Sequence, residues 1–180
     1  MSRSGLRAVM KHIQELRVEE QSEDSWFVLP DESDDDVNYL DFVVEIEGPE
    51  TYDANPEGSE EAAGAGGSEA RRPSPYTGGL FRVSITAAAD YPISAPKVRF
   101  NTKVWHPNVV YETGDLCMDF LSSSWKSDMT LRHVLLAVRS LLAMPNPDDS
   151  VNSAAAREMK DSVEAFDKHA SAETARYAMD

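Results

Sequence analysis

The 180-residue sequence is poor in cysteine: Cys117 is the only one, and a lone thiol cannot form an internal disulfide. The sequence also lacks the roughly 18 consecutive apolar residues that a membrane-spanning helix needs. It has no signal-peptide pattern and no lipidation motif. These absences predict a soluble protein of a reducing compartment, the cytoplasm or the nucleus. The length predicts a single domain over residues 1–180, which we expect to be a monomer with no bound cofactor.

Positive charge is missing from residues 18–70, which hold 18 Asp or Glu residues and no Lys or Arg. The rest of the chain carries 17 basic and 14 acidic residues, so its +3 and the segment's −18 give the net charge of −15. Such an acidic segment argues against nucleic acid and anionic membranes as partners. Charge runs are usually solvated, so solubility is the simpler interpretation and a basic partner is the alternative.

The spacing of apolar residues predicts an α+β fold. Three-and-four spacing predicts four helices, which are Leu6 to Leu16, Thr130 to Ala143 with Thr130 as the cap, 152–160 and 161–179. Alternation and β-branched or aromatic composition predict four strands, which are 26–29, 40–47, 80–86 and 98–100. Short connections favour an antiparallel meander. We therefore expect a four-stranded antiparallel sheet with an N-terminal helix, a central helix and C-terminal helices.

One long segment interrupts this pattern. Residues 50–74, between the second and third strands, are rich in Gly, Ala, Glu and Pro. Their low apolar content predicts a disordered surface insertion. Because the cost of closing a loop rises only with the logarithm of its length, we expect the insertion to cost about 1 to 2 kcal/mol, which the fold can tolerate.

Three separated motifs occur in order along the chain. The first, YPISAPKVRF, spans Tyr91 to Phe100. The second begins with WHPN at 105–108 and continues through GDLCMD at 114–119, with Trp125 beyond it. The third is PNPDD at 145–149. Together they resemble the ubiquitin-conjugating enzymes, and three ordered motifs are far more specific than one.

The resemblance implies a reaction. A member of this family accepts ubiquitin from an activating enzyme, which uses ATP, and carries it as a thioester on its cysteine. It then passes ubiquitin to a lysine of a protein substrate, usually with a ligase. Cys117 stands at the matching position and is the predicted nucleophile. Its neighbours Asp115 and Asp119 oppose ionisation of the thiol, so we expect a carrier that is not strongly activated.

The resemblance also implies roles for the neighbouring residues. Asn108 either donates a hydrogen bond to the oxyanion or holds the loop in place, and the sequence leaves both roles open. His106 is interpreted as structural, because Pro107 fixes the backbone beside it. Asp119 and Asp149 match positions that flank the incoming lysine, where a carboxylate orients the amine. For both aspartates the alternative is a surface residue in a turn.

Partner surfaces are implied in the same way. The basic side of the first helix docks the activating enzyme and the ligase in this family, which assigns Arg7 and Lys11 to that surface. Ile93 and Ser127 fall in two ligase-binding loops. On the central helix, Leu136 and Ser140 match the side that contacts the carried ubiquitin, although a helix of this kind serves the core first.

This sequence departs from the family at several positions. Eight residues separate Asn108 from Cys117, one more than in most members, so 109–113 must bulge. Ile93 replaces a frequent Phe, and 125–129 reads WKSDM, which alters both ligase loops.

Three alternatives to a ubiquitin carrier differ in how well they fit this sequence. A papain-like hydrolase is unlike this chain, because its His and Asn lie far downstream of its Cys. A non-catalytic binding module of the same fold lacks the cysteine. A carrier of the cullin modifier stays open, since WK at 125–126, the acidic run at 34–36, Asn152 and Ala154–Ala155 resemble those carriers.

Overall fold

The computed structural model describes residues 3–31, 38–54, 71–117 and 120–179. The described chain contains four helices, which are α1 (Arg3–Glu20), α2 (Leu131–Ala143), α3 (Ser153–Asp161) and α4 (Val163–Tyr177). It also contains six strands, which are β1 (Phe27–Val28), β2 (Asp41–Glu47), β3 (Thr51–Asp53), β4 (Arg71–Pro73), β5 (Leu80–Thr86) and β6 (Lys97–Phe100). None of the helices in this part of the chain is long and apolar enough to span a membrane.

The main sheet is a four-stranded antiparallel meander in the order β1-β2-β5-β6. Val44 pairs with Val83 and Ile85 pairs with Val98, so the apolar residues of neighbouring strands share one face. Along β2, burial alternates with a period of two, as expected for a sheet with one face on the core. The predicted α+β class and antiparallel sheet are confirmed.

The core lies between this face of the sheet and α2, which also contacts α1. The buried stripe of α2 consists of Leu131, Val134, Leu135, Val138 and Leu142. The stripe of α1 is narrower than the sequence predicts, because it buries Val9, Ile13 and Leu16 while Leu6 and Met10 stay 45% and 36% exposed. Arg17 turns inward from the basic side of α1, where it pairs with Glu20 at 2.9 Å.

The prediction that all of residues 50–74 are a disordered surface insertion is wrong at both ends of the segment. Strands β3 and β4 pair in antiparallel register and form what we call the β3–β4 stem. Tyr52 is only 1% exposed and its hydroxyl donates to Asp167 on α4. Arg72 forms ion pairs with Glu164 at 3.3 Å and with Asp167 at 3.2 Å. The average composition of the segment conceals this anchoring, and residues 55–70 lie outside the described residues.

The stem predicts a stability effect that a disordered insertion would not have. Tyr52→Ala should lower the free energy of unfolding by about 3 to 5 kcal/mol, because it empties a fully buried aromatic site. Thr51→Ala, at the exposed neighbouring position, should change it by about 0.5 kcal/mol or less. Urea unfolding of the two variants and the parent measures the difference. Equal stability of all three proteins would mean that Tyr52 does not pack on the body in solution.

Candidate active site

Cys117 follows a short segment that runs antiparallel to β6. Arg99 bridges to Asp115, and Val109 bridges to Leu116 immediately before the cysteine. Cys117 is half-buried. It lies at the side of a cleft of about 480 Å³, which is lined by Ala95, Pro96, Lys97, Val98, Asp115, Leu116, Cys117, Phe120, Leu121 and Ser122. The thiol is therefore held by backbone pairing and stays open to a large partner.

Gly114 allows the cysteine segment to approach β6 closely. Its φ of +75° is in the left-handed region, and a Cβ there would lie 1.8 Å from the carbonyl oxygen of Phe100. The Phe100 N–H donates to the Gly114 carbonyl at 2.9 Å. Only glycine fits this position, so the turn before Cys117 depends on it.

The extra residue before Cys117 is accommodated in a closed turn. The Val110 N–H donates to the Asp115 carbonyl at 2.9 Å, and the Gly114 N–H donates to the Val110 carbonyl at 2.7 Å. Tyr111, within this turn, packs edge-on against Trp105 with ring centroids 5.5 Å apart, and its hydroxyl donates to Glu173 on α4. The additional length is thus absorbed before the cysteine segment begins.

Trp105 joins the same loop to α3 and α4. Its indole N–H donates to Glu158 on α3 at 2.7 Å, and its ring stacks on His169 of α4 at 4.1 Å. The Tyr76 hydroxyl donates to the Trp105 carbonyl at 2.8 Å. These contacts fix the backbone that leads into the HPN motif.

His106 is fully buried behind this loop. Its Nδ1 accepts a hydrogen bond from the Asn108 N–H at 3.0 Å. Burial lowers the pKa of His106 to about 3, and the Leu141 carbonyl offsets only part of that effect. The imidazole is therefore neutral at physiological pH and has no access to the cleft, which suits the structural role predicted for it.

The side-chain amide of Asn108 is occupied by the PNPDD loop. Its Nδ2 donates to the carbonyls of Asn146 and Asp149, both at 2.8 Å, and its Oδ1 accepts from the Asn146 N–H at 2.8 Å. Both amide hydrogens are used in these bonds. In this conformation Asn108 connects two loops, and no side-chain donor is left for an oxyanion.

Of the two carboxylates predicted to flank the lysine, Asp149 is the one that the structure describes. Asp149 is exposed, and its backbone is held on both sides, since its N–H donates to Asn146 and its carbonyl accepts from Asn108. The side chain therefore projects from a fixed loop. Asp119 lies outside the described residues.

Lys97 was missed as a neighbour of the thiol. Arg99 pairs with Asp115, so continuing that antiparallel register would place Lys97 opposite Cys117, and both residues line the cleft. In the sequence, Lys97 lies 20 residues before Cys117 and gives no sign of this proximity. The pairing of two distant segments was the missing signal.

Comparisons with known proteins agree with this geometry. The sequence profile of the ubiquitin-conjugating enzyme family matches residues 67–174, more than half of the chain. The chain belongs to the ubiquitin-conjugating enzyme family. It is 45% identical over 92 residues to ubiquitin-conjugating enzyme E2-22 kDa of Drosophila melanogaster, a match that covers 51% of this chain and 46% of that protein. Human ubiquitin-conjugating enzyme E2 K gives the same identity and coverage.

The chain thus spans about half the length of the curated relatives it matches. Solved structures resemble it over its whole length. A structure from Plasmodium yoelii assigned as a ubiquitin-conjugating enzyme has a TM-score of 0.77 at 29% identity and covers 100% of this chain and 99% of its own. The E2 domain of a Toxoplasma gondii ubiquitin-conjugating enzyme has a TM-score of 0.73 at 26% identity, with 98% and 99% covered.

The predicted docking residues of this family member lie on the surface. Arg7 and Lys11 are exposed on α1, and Lys11 forms a solvent-exposed ion pair with Glu15 at 3.6 Å. Ile93 is 72% exposed and Ser127 is exposed. The positions of these side chains leave them accessible to partners.

Internal bonds connect the two predicted ligase loops with α1. The Trp125 indole N–H donates to the Pro92 carbonyl at 2.9 Å. The Tyr91 ring packs on Trp125, and its hydroxyl is 2.7 Å from Nδ1 of His12 on α1. The three parts of the predicted docking surface are therefore held in one arrangement.

The predicted modifier side of α2 is partly open, since Leu136 is half-buried and Ser140 is exposed. In the part of the chain that the structure describes, no cluster of His, Cys, Asp and Glu could hold a metal ion.

The bonds of Asn108 predict the order of two substitutions. Asn108→Ala should lower the free energy of unfolding by about 1 to 3 kcal/mol, because it leaves polar groups of the 146–149 loop without partners. Asn108→Asp should be worse, since a carboxylate oxygen would face the carbonyls of Asn146 and Asp149. Urea unfolding tests both variants. If neither variant changes stability, the amide does not hold the loop.

Burial of neutral His106 predicts a loss of stability in acid. Its folded pKa of about 3 lies below the unfolded value near 6.5, so the unfolded chain binds the extra proton between these pH values. The contribution of neutral His106 to the free energy of unfolding is complete above pH ~6.5. Below that pH, it falls by about 1.4 kcal/mol per pH unit. Unfolding of the parent and of His106→Asn from about pH 7.5 to 5 isolates this slope. Parallel curves would show that His106 does not contribute.

Proposed function

We propose that this protein carries ubiquitin as a thioester on Cys117 and transfers it to a lysine of a protein substrate. The observation that carries the proposal is the place of the only cysteine: Cys117 lies beside an open cleft, on a segment fixed to β6 through Gly114. Membership in the family supports the same reaction. A non-catalytic module of this fold would have no use for a thiol held in this way.

Both half-reactions are acyl transfers. In the first, the Cys117 sulfur attacks the thioester that joins the modifier to its activating enzyme, so one C–S bond forms and another breaks. In the second, the amine of the acceptor lysine attacks the carbonyl carbon of the thioester on Cys117. A C–N bond forms, the C–S bond breaks, and the sulfur takes up the proton that the amine loses, so Cys117 becomes a thiol again. ATP is consumed by the activating enzyme, so the carrier needs no cofactor of its own.

The loop over residues 146–149 supports the second half-reaction. Asp149 projects from this loop, and a carboxylate beside the acceptor can orient the amine and favour loss of its proton. We assign Asn108 to fixing this loop, because both of its amide hydrogens are already bonded there. Direct contact with the oxyanion would require those bonds to break. We assign Asp119 to the position that flanks the incoming lysine, and this assignment rests on the family resemblance alone.

The partners follow from the same proposal. Arg7 and Lys11 would meet the activating enzyme and the ligase, while Ile93 and Ser127 would meet the ligase. Leu136 and Ser140 would contact the carried modifier. We further propose a monomer in the cytoplasm or nucleus that acts on protein substrates, without nucleic acid or a membrane as a partner.

A carrier of the cullin modifier is the second candidate, and the structure weakens two of its signals. Asn152 caps α3 by accepting from the Ala155 N–H, and Ala155 is buried. Helix capping and core packing are sufficient reasons for Asn152 and Ala155 to be present, whichever modifier is carried. The acidic run at 34–36 lies outside the described residues.

The first test is charging. With the ubiquitin-activating enzyme, ATP and ubiquitin, the protein should gain one ubiquitin through a bond that reductant cleaves. Cys117→Ser should retain ubiquitin as an ester that resists reductant, or gain none, and Cys117→Ala should gain none. Non-reducing and reducing gels distinguish these species.

A parallel reaction with the activating enzyme of the cullin modifier tests the second candidate. If only that activating enzyme charges the protein, the carried modifier is the cullin modifier and the ubiquitin proposal is wrong. Undiminished charging of Cys117→Ala in either reaction would refute Cys117 as the acceptor.

A further inference from the structure

The β3–β4 stem lies beside the half of α2 that carries Leu136 and Ser140. A cleft of about 390 Å³ separates the two elements. Pro49, Glu50 and three residues of the stem face four residues of α2 and Met144, which follows the helix. The lining residues are Pro49, Glu50, Thr51, Asp53, Arg71, Leu136, Arg139, Ser140, Ala143 and Met144.

The stem is a fixed wall of this cleft. Tyr52 is buried and bonded to Asp167, and Arg72 is paired with α4. At the base, the Ser74 N–H donates to the Glu50 carbonyl at 2.8 Å, and the Thr77 hydroxyl lies within hydrogen-bond distance of the same carbonyl at 3.2 Å. A partner on α2 would therefore meet the stem in its present position.

The cleft ends close in sequence to the loop that presents Asp149. Met144 lines the cleft and is 56% exposed, and it lies two residues before Asn146, which Asn108 binds. The chain therefore leads from the lining of the cleft directly into the 146–149 loop. A protein joined to Cys117 and resting on α2 would lie over the cleft.

We propose that the β3–β4 stem forms a second wall of the surface that holds the carried modifier, and that it takes part in selecting which modifier is carried. This inference rests on the proposed function. Leu136 and Met144 offer apolar area, while Glu50, Asp53 and Arg71 add charges of both signs to the lining. The structure therefore assigns to the modifier an apolar patch bordered by both basic and acidic groups.

The covalent link favours the modifier over other occupants. Once the modifier is joined to Cys117, its local concentration at a neighbouring surface is very high, so a small and weak contact suffices. A free protein would need a much larger interface to bind stably. A 390 Å³ cleft suits the tethered partner.

The test separates charging from discharge. Thr51→Arg changes the stem wall and Ser140→Arg changes the helix wall, both at exposed positions. Ser171→Arg, exposed on α4 and outside the lining of this cleft, is the matched control. We expect Thr51→Arg and Ser140→Arg to slow single-turnover discharge to free lysine by about 5- to 10-fold. Charging should change less than about twofold, and the control should behave as the parent.

A second measurement does not depend on these variants folding. Cys117→Ser loaded with modifier as an ester can be followed by NMR, and loading should shift the amide signals of Thr51 and Arg71 together with that of Ser140. If only Ser140 shifts, the stem is not a wall of the surface. Unchanged or faster discharge of Thr51→Arg also overturns the proposal, because the stem is then unused or obstructive.

Failure of the proposed function would look different. In that case the parent protein would gain no modifier from any activating enzyme, and the present inference would fall with it. Normal charging with no effect at the stem would refute this inference alone.

Discussion

The side-chain amide of Asn108 is the interaction on which the site depends. Its three hydrogen bonds connect the HPN turn to the loop that presents Asp149. The Pro107 carbonyl beside it accepts from the N–H groups of Val151 and Asn152, which lead into α3. The helices α3 and α4 pack against one another. The C-terminal half of the fold therefore sets the position of Asp149, the carboxylate that we propose lies beside the acceptor lysine.

Much of the fold was predictable because its signals are local. Alternation along β2 and β5 follows from one buried face, and the helix stripes follow from the three-and-four spacing of apolar residues. Two features were not predictable. Tyr52 lies in a segment of low apolar content and bonds to α4, and Lys97 lines the same cleft as Cys117 because β6 and the cysteine segment come from distant parts of the chain. Local patterns carry no information on such contacts.

The turn before Cys117 illustrates how the fold tolerates a change in length. The extra residue could have moved the thiol, but Gly114 keeps the cysteine segment against β6. Tyr111 takes up the added length by packing on Trp105 and bonding to Glu173. The length of the bulge is readable from the residue count, but its direction is not, because that direction depends on the contact with α4. A side chain of α4 thus compensates for a change beside the active site.

A carrier must keep its thioester until a lysine arrives, and the position of His106 suits this need. A histidine open to the cleft could activate water as a general base. His106 instead is buried, and its low pKa keeps it neutral behind the loop. The proposed chemistry then depends on positioning an amine near Asp149 rather than on a strong base. Hydrolysis by water is accelerated little by such positioning, because no substrate protein holds the water molecule beside the thioester.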